Sequence, residues 1–194
     1  MSFPDSFSTP RLTAERLREH HFEDIFRMHR DARQMETLGG TKNEQETREY
    51  LEWNLDHWDR YGHGLWILRE RRDGPVIGRA LLRHLFVEGG DEVEVGYSFN
   101  PEYWGRGYAT EIATTLVRLG FEHLGLGAIV AITMLTNDAS KRVLMKAGLV
   151  AAGETLHAGK PHSLFRTQRL QEGSSPLHKE HRVDRCNQRS EVEG

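Results

Sequence analysis

The residues Val93-Glu-Val-Gly-Tyr-Ser-Phe-Asn-Pro-Glu-Tyr-Trp-Gly-Arg-Gly-Tyr-Ala-Thr-Glu111 decide the fold, because across them the apolar period changes from that of a strand to that of a helix. Val93, Val95 and Tyr97 alternate with Glu94, Gly96 and Ser98, the period of a half-buried strand. Asn100-Pro101 stops the ladder, since proline has no N–H to donate. From Ala109 onward, Ala109, Ile112, Ala113, Leu116, Val117, Gly120, Phe121 and Leu124 fall on one helical face. Trp104-Gly-Arg-Gly-Tyr-Ala109 joins the two. Glycines at 105 and 107 allow close backbone approach, and the free N–H groups and positive dipole end of a helix start suit a phosphate, with Arg106 adding charge. The plain alternative is a tight strand-to-helix turn that binds nothing.

The wider string Tyr97-x-Phe99-x-Pro101-x-x-Trp104-x-x-Gly107-x-Ala109 resembles the acetyl-coenzyme A motif of the GCN5-related N-acetyltransferases (GNAT superfamily), in which a hydrophobic-x-hydrophobic strand end leads through Pro to Gln/Arg-x-x-Gly-x-Gly/Ala. Trp104 departs from it, standing where Gln or Arg is usual; Trp-Gly-Arg-Gly-Tyr-Ala-Thr-Glu looks like the RimJ/RimL-like branch that acetylates ribosomal-protein N-termini. The departure bears on polar contacts of the side chain at 104 and leaves the backbone from Gly105 to Ala109 unaffected. Thr9-Pro-Arg-Leu12 is similar to the opening of that branch, and Thr133-x-x-x-Asn137-x-x-Ser140-x-x-Val143-Leu-x-Lys146-x-Gly148-Leu149 resembles the second family signature. The resemblance spans about residues 9 to 170.

Bulk properties agree with one enzyme-sized domain. The chain has 194 residues and a net charge of −3, which gives no global attraction to nucleic acid or an anionic membrane. Its single cysteine, Cys186, excludes an internal disulfide and makes the cytoplasm the expected compartment. The opening Met-Ser-Phe-Pro-Asp-Ser has neither a basic nor an apolar run, and no stretch is apolar over the ~20 residues a bilayer demands. The 11 histidines are scattered, so no metal site is expected.

Thr9–Leu17 reads as a first strand. A helix starting near Glu23-Asp24 follows, then a second from Thr41, whose spacing to Glu44 is that of a capping box, ending near Tyr61-Gly62. Arg72-Asp-Gly-Pro75 and Glu88-Gly-Gly-Asp91 mark turns between three antiparallel strands. After the long helix come a buried strand Ala128–Met134, a helix from Asn137 to Gly148, and strands at Leu149–Leu156 and His162–Leu170. The order predicts an α/β (α+β) fold: one GNAT-like domain over 1–170 with a mixed, mostly antiparallel sheet of about seven strands and about four helices on both faces. Residues 171–194, rich in Gly, Ser, Pro and mixed charge, are expected to form a disordered or loosely attached tail.

The resemblance implies acetyl transfer from acetyl-CoA to a primary amine. Two splayed strands would admit the pantetheine arm against the backbone of Tyr97, Ser98 and Phe99, with Trp104, Gly105, Arg106, Gly107, Tyr108 and Ala109 around the pyrophosphate. Asn137 would meet the pantetheine amide, and Ser140 would return a proton to the thiolate. Asn137 and Ser140 are equally ordinary as a helix cap and a first-turn residue, and Tyr97 and Tyr108 are further proton donors in view. Glu94, a carboxylate between Val93 and Val95, is the candidate base, its alternative being a salt-bridged or solvent-facing strand residue; Glu92 and Glu111 are secondary candidates. By resemblance the first two helices line the acceptor side, where Glu36, Glu44 and Glu46 would attract a cationic amine or simply form a solvated face.

The acceptor is either a protein N-terminal α-amine or a small-molecule amine such as an antibiotic or polyamine. A second class is a non-catalytic acyl-CoA-binding module. A nucleotide-dependent oxidoreductase is disfavoured, because Gly105-x-Gly107 has no third glycine and follows antiparallel strands. The partners expected are acetyl-CoA and the amine acceptor, with a second copy of the chain in a homodimer as a further candidate, and neither nucleic acid nor membrane.

Overall fold

A computed structural model describes residues 3–70 and 74–168. Its strands are β1 (Ser6–Ser8), β2 (Thr13–Arg16), β3 (Leu65–Arg69), β4 (Val76–Val87), β5 (Gly90–Phe99), β6 (Ala128–Met134), β7 (Val150–His157) and β8 (Lys160–Gln168). The helices are α1 (Phe22–Arg30), α2 (Ala32–Met35), α3 (Glu44–Tyr61), α4 (Tyr108–Leu124) and α5 (Asp138–Lys146). Among the described residues, all eight strands form one sheet in the order β1-β2-β3-β4-β5-β6-β8-β7. Every neighbouring pair is antiparallel except β5 and β6, which α4 connects as a parallel crossover.

Three expectations need correction. Of the expected first strand over Thr9–Leu17, only Thr13–Arg16 is strand (β2), and a further short strand, β1 (Ser6–Ser8), precedes it. Pro10 cannot donate to a ladder, and the chain turns there with the Thr9 amide bonded to the Leu12 carbonyl at 2.9 Å. The α3 cap is Asn43 rather than Thr41: Asn43 Oδ1 accepts from the Glu46 amide at 2.9 Å while Glu46 Oε2 accepts from the Asn43 amide at 2.7 Å. The Lys42 amide is held by the His29 carbonyl at 3.0 Å, so the chain is still docking on α1 where the earlier start would lie. Among the described residues the sheet has eight strands where about seven are expected, and the fold has five α-helices where about four are expected, because the β1–β2 turn and the short α2 carry too little periodicity to be counted. The expected tail at 171–194 lies outside the described residues, as do residues 71–73 of the first hairpin turn.

The two faces of the sheet bury different sets. Trp66, Leu68, Ile77, Leu82, Val93, Val95 and Phe99 pack with Ile112, Leu116 of α4 and Leu144 of α5. Leu17, Leu65, Ile67 and Leu81 pack with Ile25 and Met28 of α1 and Leu51 of α3. Because strand side chains alternate, Glu94, Gly96 and Ser98 of β5 therefore face the α1–α3 side. β5 and β6 are in register at one position, Glu94 opposite Val130, and no pairing continues toward Phe99. That leaves a gap beside the strand end, where α4 begins.

Candidate active site

The loop between β5 and α4 is built for its main chain to be reached. Gly105 (φ 74°) and Gly107 (φ 81°) take left-handed conformations in which any other residue is strained. Gly107 caps α4 without any side-chain bond to the first-turn amides. Among the described residues, the amides of Gly105, Arg106 and Gly107 donate to no protein acceptor. These residues are exposed, so water can pair their amides, and three successive free donors at a helix start are also the arrangement that can receive an anion. The residues present therefore fit a diphosphate.

Other side chains hold this loop from behind. Arg11 donates from Nη1 to the Arg106 carbonyl at 2.8 Å and from Nε to Glu111 Oε2 at 2.7 Å, and its guanidinium lies 4.6 Å from the Tyr108 ring centroid. Glu111 Oε1 also accepts from the Thr9 hydroxyl and from the Arg11 amide. Burial alone would raise the Glu111 pKa, but these bonds and the Arg11 charge outweigh it and hold the group below its ordinary value. Arg106 folds back on its own loop, donating from Nη2 to the Glu102 carbonyl at 3.0 Å. Tyr108 donates to Glu70. Trp104 is 53 % exposed, and its indole N–H donates to the Phe99 carbonyl at 2.7 Å, a polar contact the family motif does not suggest.

The strand edge facing the gap follows from the ladder. The Asn100 amide bonds the Ile77 carbonyl of β4 at 2.9 Å, and Arg79 stands opposite Ser98. Main-chain groups alternate in direction along a strand, so Ser98 is committed to β4 while Tyr97 and Phe99 face β6, the Phe99 carbonyl being already bonded to the Trp104 indole. Ser98 thus has no main-chain group to offer the gap, and its Oγ accepts from Gln34 Nε2 at 2.9 Å.

On the α5 side, the Tyr97 hydroxyl lies 3.0 Å from Ser140 Oγ. Burial pushes the Tyr97 phenol up to about 12, the Ser140 bond opposing only in part, so it stays protonated at neutral pH. Asn137 caps α5 by accepting from the Ser140 amide at 3.0 Å, and its Nδ2 donates to Thr37 Oγ1 at 3.2 Å. The cap role read from the sequence is real, and the same side chain ties α5 to the segment after α2.

On the opposite face Glu94 is 5 % exposed and accepts through Oε2 from Arg83 Nε at 2.7 Å. The guanidinium is held above its usual range chiefly by the Glu94 charge. The salt-bridged alternative therefore describes Oε2. Oε1 bonds no described residue and is not among the sealed, unpartnered atoms, so it keeps contact with solvent. The other carboxylates are engaged elsewhere: Glu92 with Arg166 at 2.8 Å, Glu44 with Arg48 at 2.6 Å, and Glu46 in the Asn43 cap.

The sequence reading missed Arg83, Gln34 and Thr37 altogether, and saw Thr9 and Arg11 only as a resemblance. Arg83 had one available signal: it stands on the first strand of the β4–β5 hairpin, whose register, counted from the Glu88-Gly89 turn, sets it opposite Glu94. Among the described residues, no cluster of three or more His, Cys, Asp or Glu is placed to hold a metal, and no helix is long and apolar enough to cross a membrane.

The parallel strand pair parts beside a helix-start loop of free amides, with a carboxylate on one face and a hydroxyl pair on the other, an arrangement that fits a ligand with a diphosphate and an extended arm. The model for an acetyltransferase (GNAT) domain matches residues 11–150, and the chain belongs to that family of acetyl-CoA-dependent acetyltransferases. The uncharacterized protein YkkB of Bacillus subtilis is 32 % identical over 131 residues, 68 % of this chain and 76 % of that one. The acetyltransferase from Agrobacterium tumefaciens superposes with a TM-score of 0.76 at 24 % identity, covering 87 % of this chain and 96 % of its own. The ribosomal-protein-S5-alanine acetyltransferase from Vibrio fischeri gives 0.68 at 18 % identity, covering 84 % and 96 %.

Proposed function

We propose that this chain acetylates a protein N-terminal α-amine, with Glu94 as the base and the Tyr97–Ser140 pair as the acid. The single observation that supports the reading best is the Glu94 carboxylate: one oxygen is anchored by Arg83 and the other is open, at the register position where β5 and β6 begin to part. An anchored carboxylate with a free oxygen can take a proton from an ammonium, directly or through one water. An α-amine is the easier acceptor, since its pKa of about 7.7–8.0 leaves much of it neutral near pH 7.5, whereas a lysine-type amine near 10.4 is almost wholly charged.

Acetyl-CoA supplies the activated acyl group when bound. The chain supplies position and protons. Free amides at Gly105, Arg106 and Gly107 hold the diphosphate, the main-chain groups of Tyr97 and Phe99 line the arm, and the Phe99 N–H is available to a carbonyl oxygen. Holding two reactants in contact removes much of the entropic barrier to their meeting. Glu94 accepts the amine proton as the N–C bond forms; the C–S bond breaks, and the departing sulfur takes a proton from the Tyr97–Ser140 pair, whose phenol remains protonated at working pH.

The test is acetyl transfer from labelled acetyl-CoA to a panel of N-terminal peptides and small amines. Faster labelling of peptide α-amines is the expected result; labelling confined to aminoglycosides or polyamines would replace the acceptor, and coenzyme A binding without turnover would leave a binding module.

A further inference from the structure

Resting on the acetyltransferase reading above, we infer that Arg79 binds a carboxylate on the acceptor, so that the preferred substrates are amines carrying an anionic group. Arg79 stands on β4 opposite Ser98, and it is 7 % exposed. It lies on the same face of β4 as Arg83, but the two arginines differ. Arg83 is neutralised by Glu94, whereas among the described residues Arg79 meets no carboxylate at all. Its Nη1 donates to His29 Nε2 at 2.7 Å, and its guanidinium lies 4.8 Å from the Tyr50 ring centroid.

The histidine cannot offset the charge. Because Arg79 donates to Nε2, that nitrogen is unprotonated, and the ring proton sits on Nδ1, which donates to Thr47 Oγ1 at 2.9 Å; Thr47 in turn donates to the Asn43 carbonyl at 2.8 Å. Burial, then the Arg79 charge, pushes His29 down to about 3. The chain of donors from Arg79 to Asn43 thus fixes the guanidinium while leaving it fully cationic. A buried charge without a counter-ion is costly and is normally paired. Its other nitrogens, Nε and Nη2, bond no described residue and are not among the sealed, unpartnered atoms, so they face space that solvent reaches. A held guanidinium with free donors is the arrangement that takes a carboxylate in two parallel bonds.

Arg79 and Glu94 stand at two ends of one short stretch of sheet, with Leu81 and Gly96 opposite each other between them. Ser98 and Arg79 form one end, Glu94 and Arg83 the other, four residues apart along each strand, or about 13 Å between Cα atoms. An acceptor whose ammonium approaches Glu94 can set a carboxylate several bonds away against Arg79. An acidic side chain in the first residues of a peptide and the carboxylate of a small ω-amino acid share this chemistry. A polyamine would instead meet an unneutralised cation.

The experiment uses two matched pairs with acetyl-CoA: Ala-Asp-Ala-Ala amide against Ala-Asn-Ala-Ala amide, and 6-aminohexanoate against 6-aminohexanamide. Wild type is expected to favour the carboxylate member of at least one pair by about 10- to 100-fold in kcat/KM, the range of one hydrogen-bonded charge pair. The favoured pair identifies the source as peptide or small molecule. Arg79→Gln should erase the preference, read as the ratio of kcat/KM within each pair, and Arg79→Lys should restore part of it. A variant that slows both members equally means Arg79 only props α1 and α3, and overturns the inference. Binding separates this from the reading it rests on: with coenzyme A present, N-acetyl-aspartate should bind wild type and not Arg79→Gln, by calorimetry. Coenzyme A binding with indifference to N-acetyl-aspartate and equal rates within both pairs overturns the carboxylate site alone. Absence of coenzyme A binding overturns both.

Discussion

The two halves of the cleft are made of different material. The half proposed for the cofactor is main chain: amides at Gly105 to Gly107, a left-handed pair of glycines, and the strand edge at Tyr97 and Phe99. The half proposed for the acceptor is side chain: Glu94, Arg83, Arg79, His29 and Gln34, gathered from β5, β4, α1 and α2 and locked by hydrogen bonds. Main chain presents the same donors whatever residue carries it, and suits a ligand that never changes. Side chains can be exchanged one at a time, so the same fold can hold different acceptors. The comparison teaches that the halves should fail differently when altered: the cofactor half through backbone geometry, the acceptor half through charge.

The largest effect should come from the acceptor half. Glu94→Gln keeps a hydrogen bond to Arg83 and removes the proposed base, so kcat should fall by about 10²- to 10⁴-fold while coenzyme A affinity, read by calorimetry, stays within about twofold. A loss of coenzyme A binding of similar size would break the division between the halves.

Acid should also strike the acceptor half first. His29 is held at about 3 and His57 at about 4, in both cases mainly by burial, and both lie in the layer formed by α1 and α3 against the sheet. Each has a folded value below the ordinary 6.5, so the unfolded chain takes up a proton that the folded chain refuses. Stability is therefore complete above pH 6.5 and is lost as pH falls from there toward 4. At pH 4.5 the loss should be about 2 to 3 kcal/mol per histidine, measured as a fall in the urea midpoint. His29→Gln should flatten part of that dependence.

The cofactor half should respond to shape. In Gly107→Ala the added Cβ comes 3.5 Å from Arg11 Nη2, an ordinary contact, so the cost is the left-handed backbone itself. Stability should drop by about 1 to 2 kcal/mol, and coenzyme A affinity should weaken about tenfold because the loop relaxes away from that conformation. The smallest effect is expected for Arg11→Ala, which removes the prop behind Arg106. A few-fold rise in the dissociation constant for coenzyme A with kcat intact would sharpen the claim that Arg11 positions the loop without touching the chemistry.

The same contrast explains what could be read before the fold was known. The cofactor half was legible because the strand-to-helix switch, Pro101 and the glycine pair all lie within one stretch, and each states a backbone conformation. The second signature, Asn137 to Gly148, was legible for the same reason, and Asn137 indeed caps α5. Ser98 was misjudged as a main-chain partner of the pantetheine arm, since facing direction depends on register against β4. The acceptor half stayed hidden because its contacts run between distant segments: Arg83 to Glu94, Gln34 to Ser98, Asn137 to Thr37. Nothing local in Arg79 distinguishes it from the exposed arginines of the chain; only its burial and the absence of a carboxylate neighbour among the described residues do so. The misplaced α3 cap has a similar origin: Thr41/Glu44 and Asn43/Glu46 satisfy one spacing rule equally, and a bond from Lys42 to His29 chooses between them.

The central claim is that the amides flanking Arg106 are left free to grip a diphosphate. Titrating uniformly ¹⁵N-labelled protein with coenzyme A, and following amide resonances, addresses those groups one by one. Large, saturable downfield shifts at Gly105, Arg106 and Gly107, with a common dissociation constant, are the predicted result. Saturating binding that leaves those three resonances in place while moving others would contradict the account.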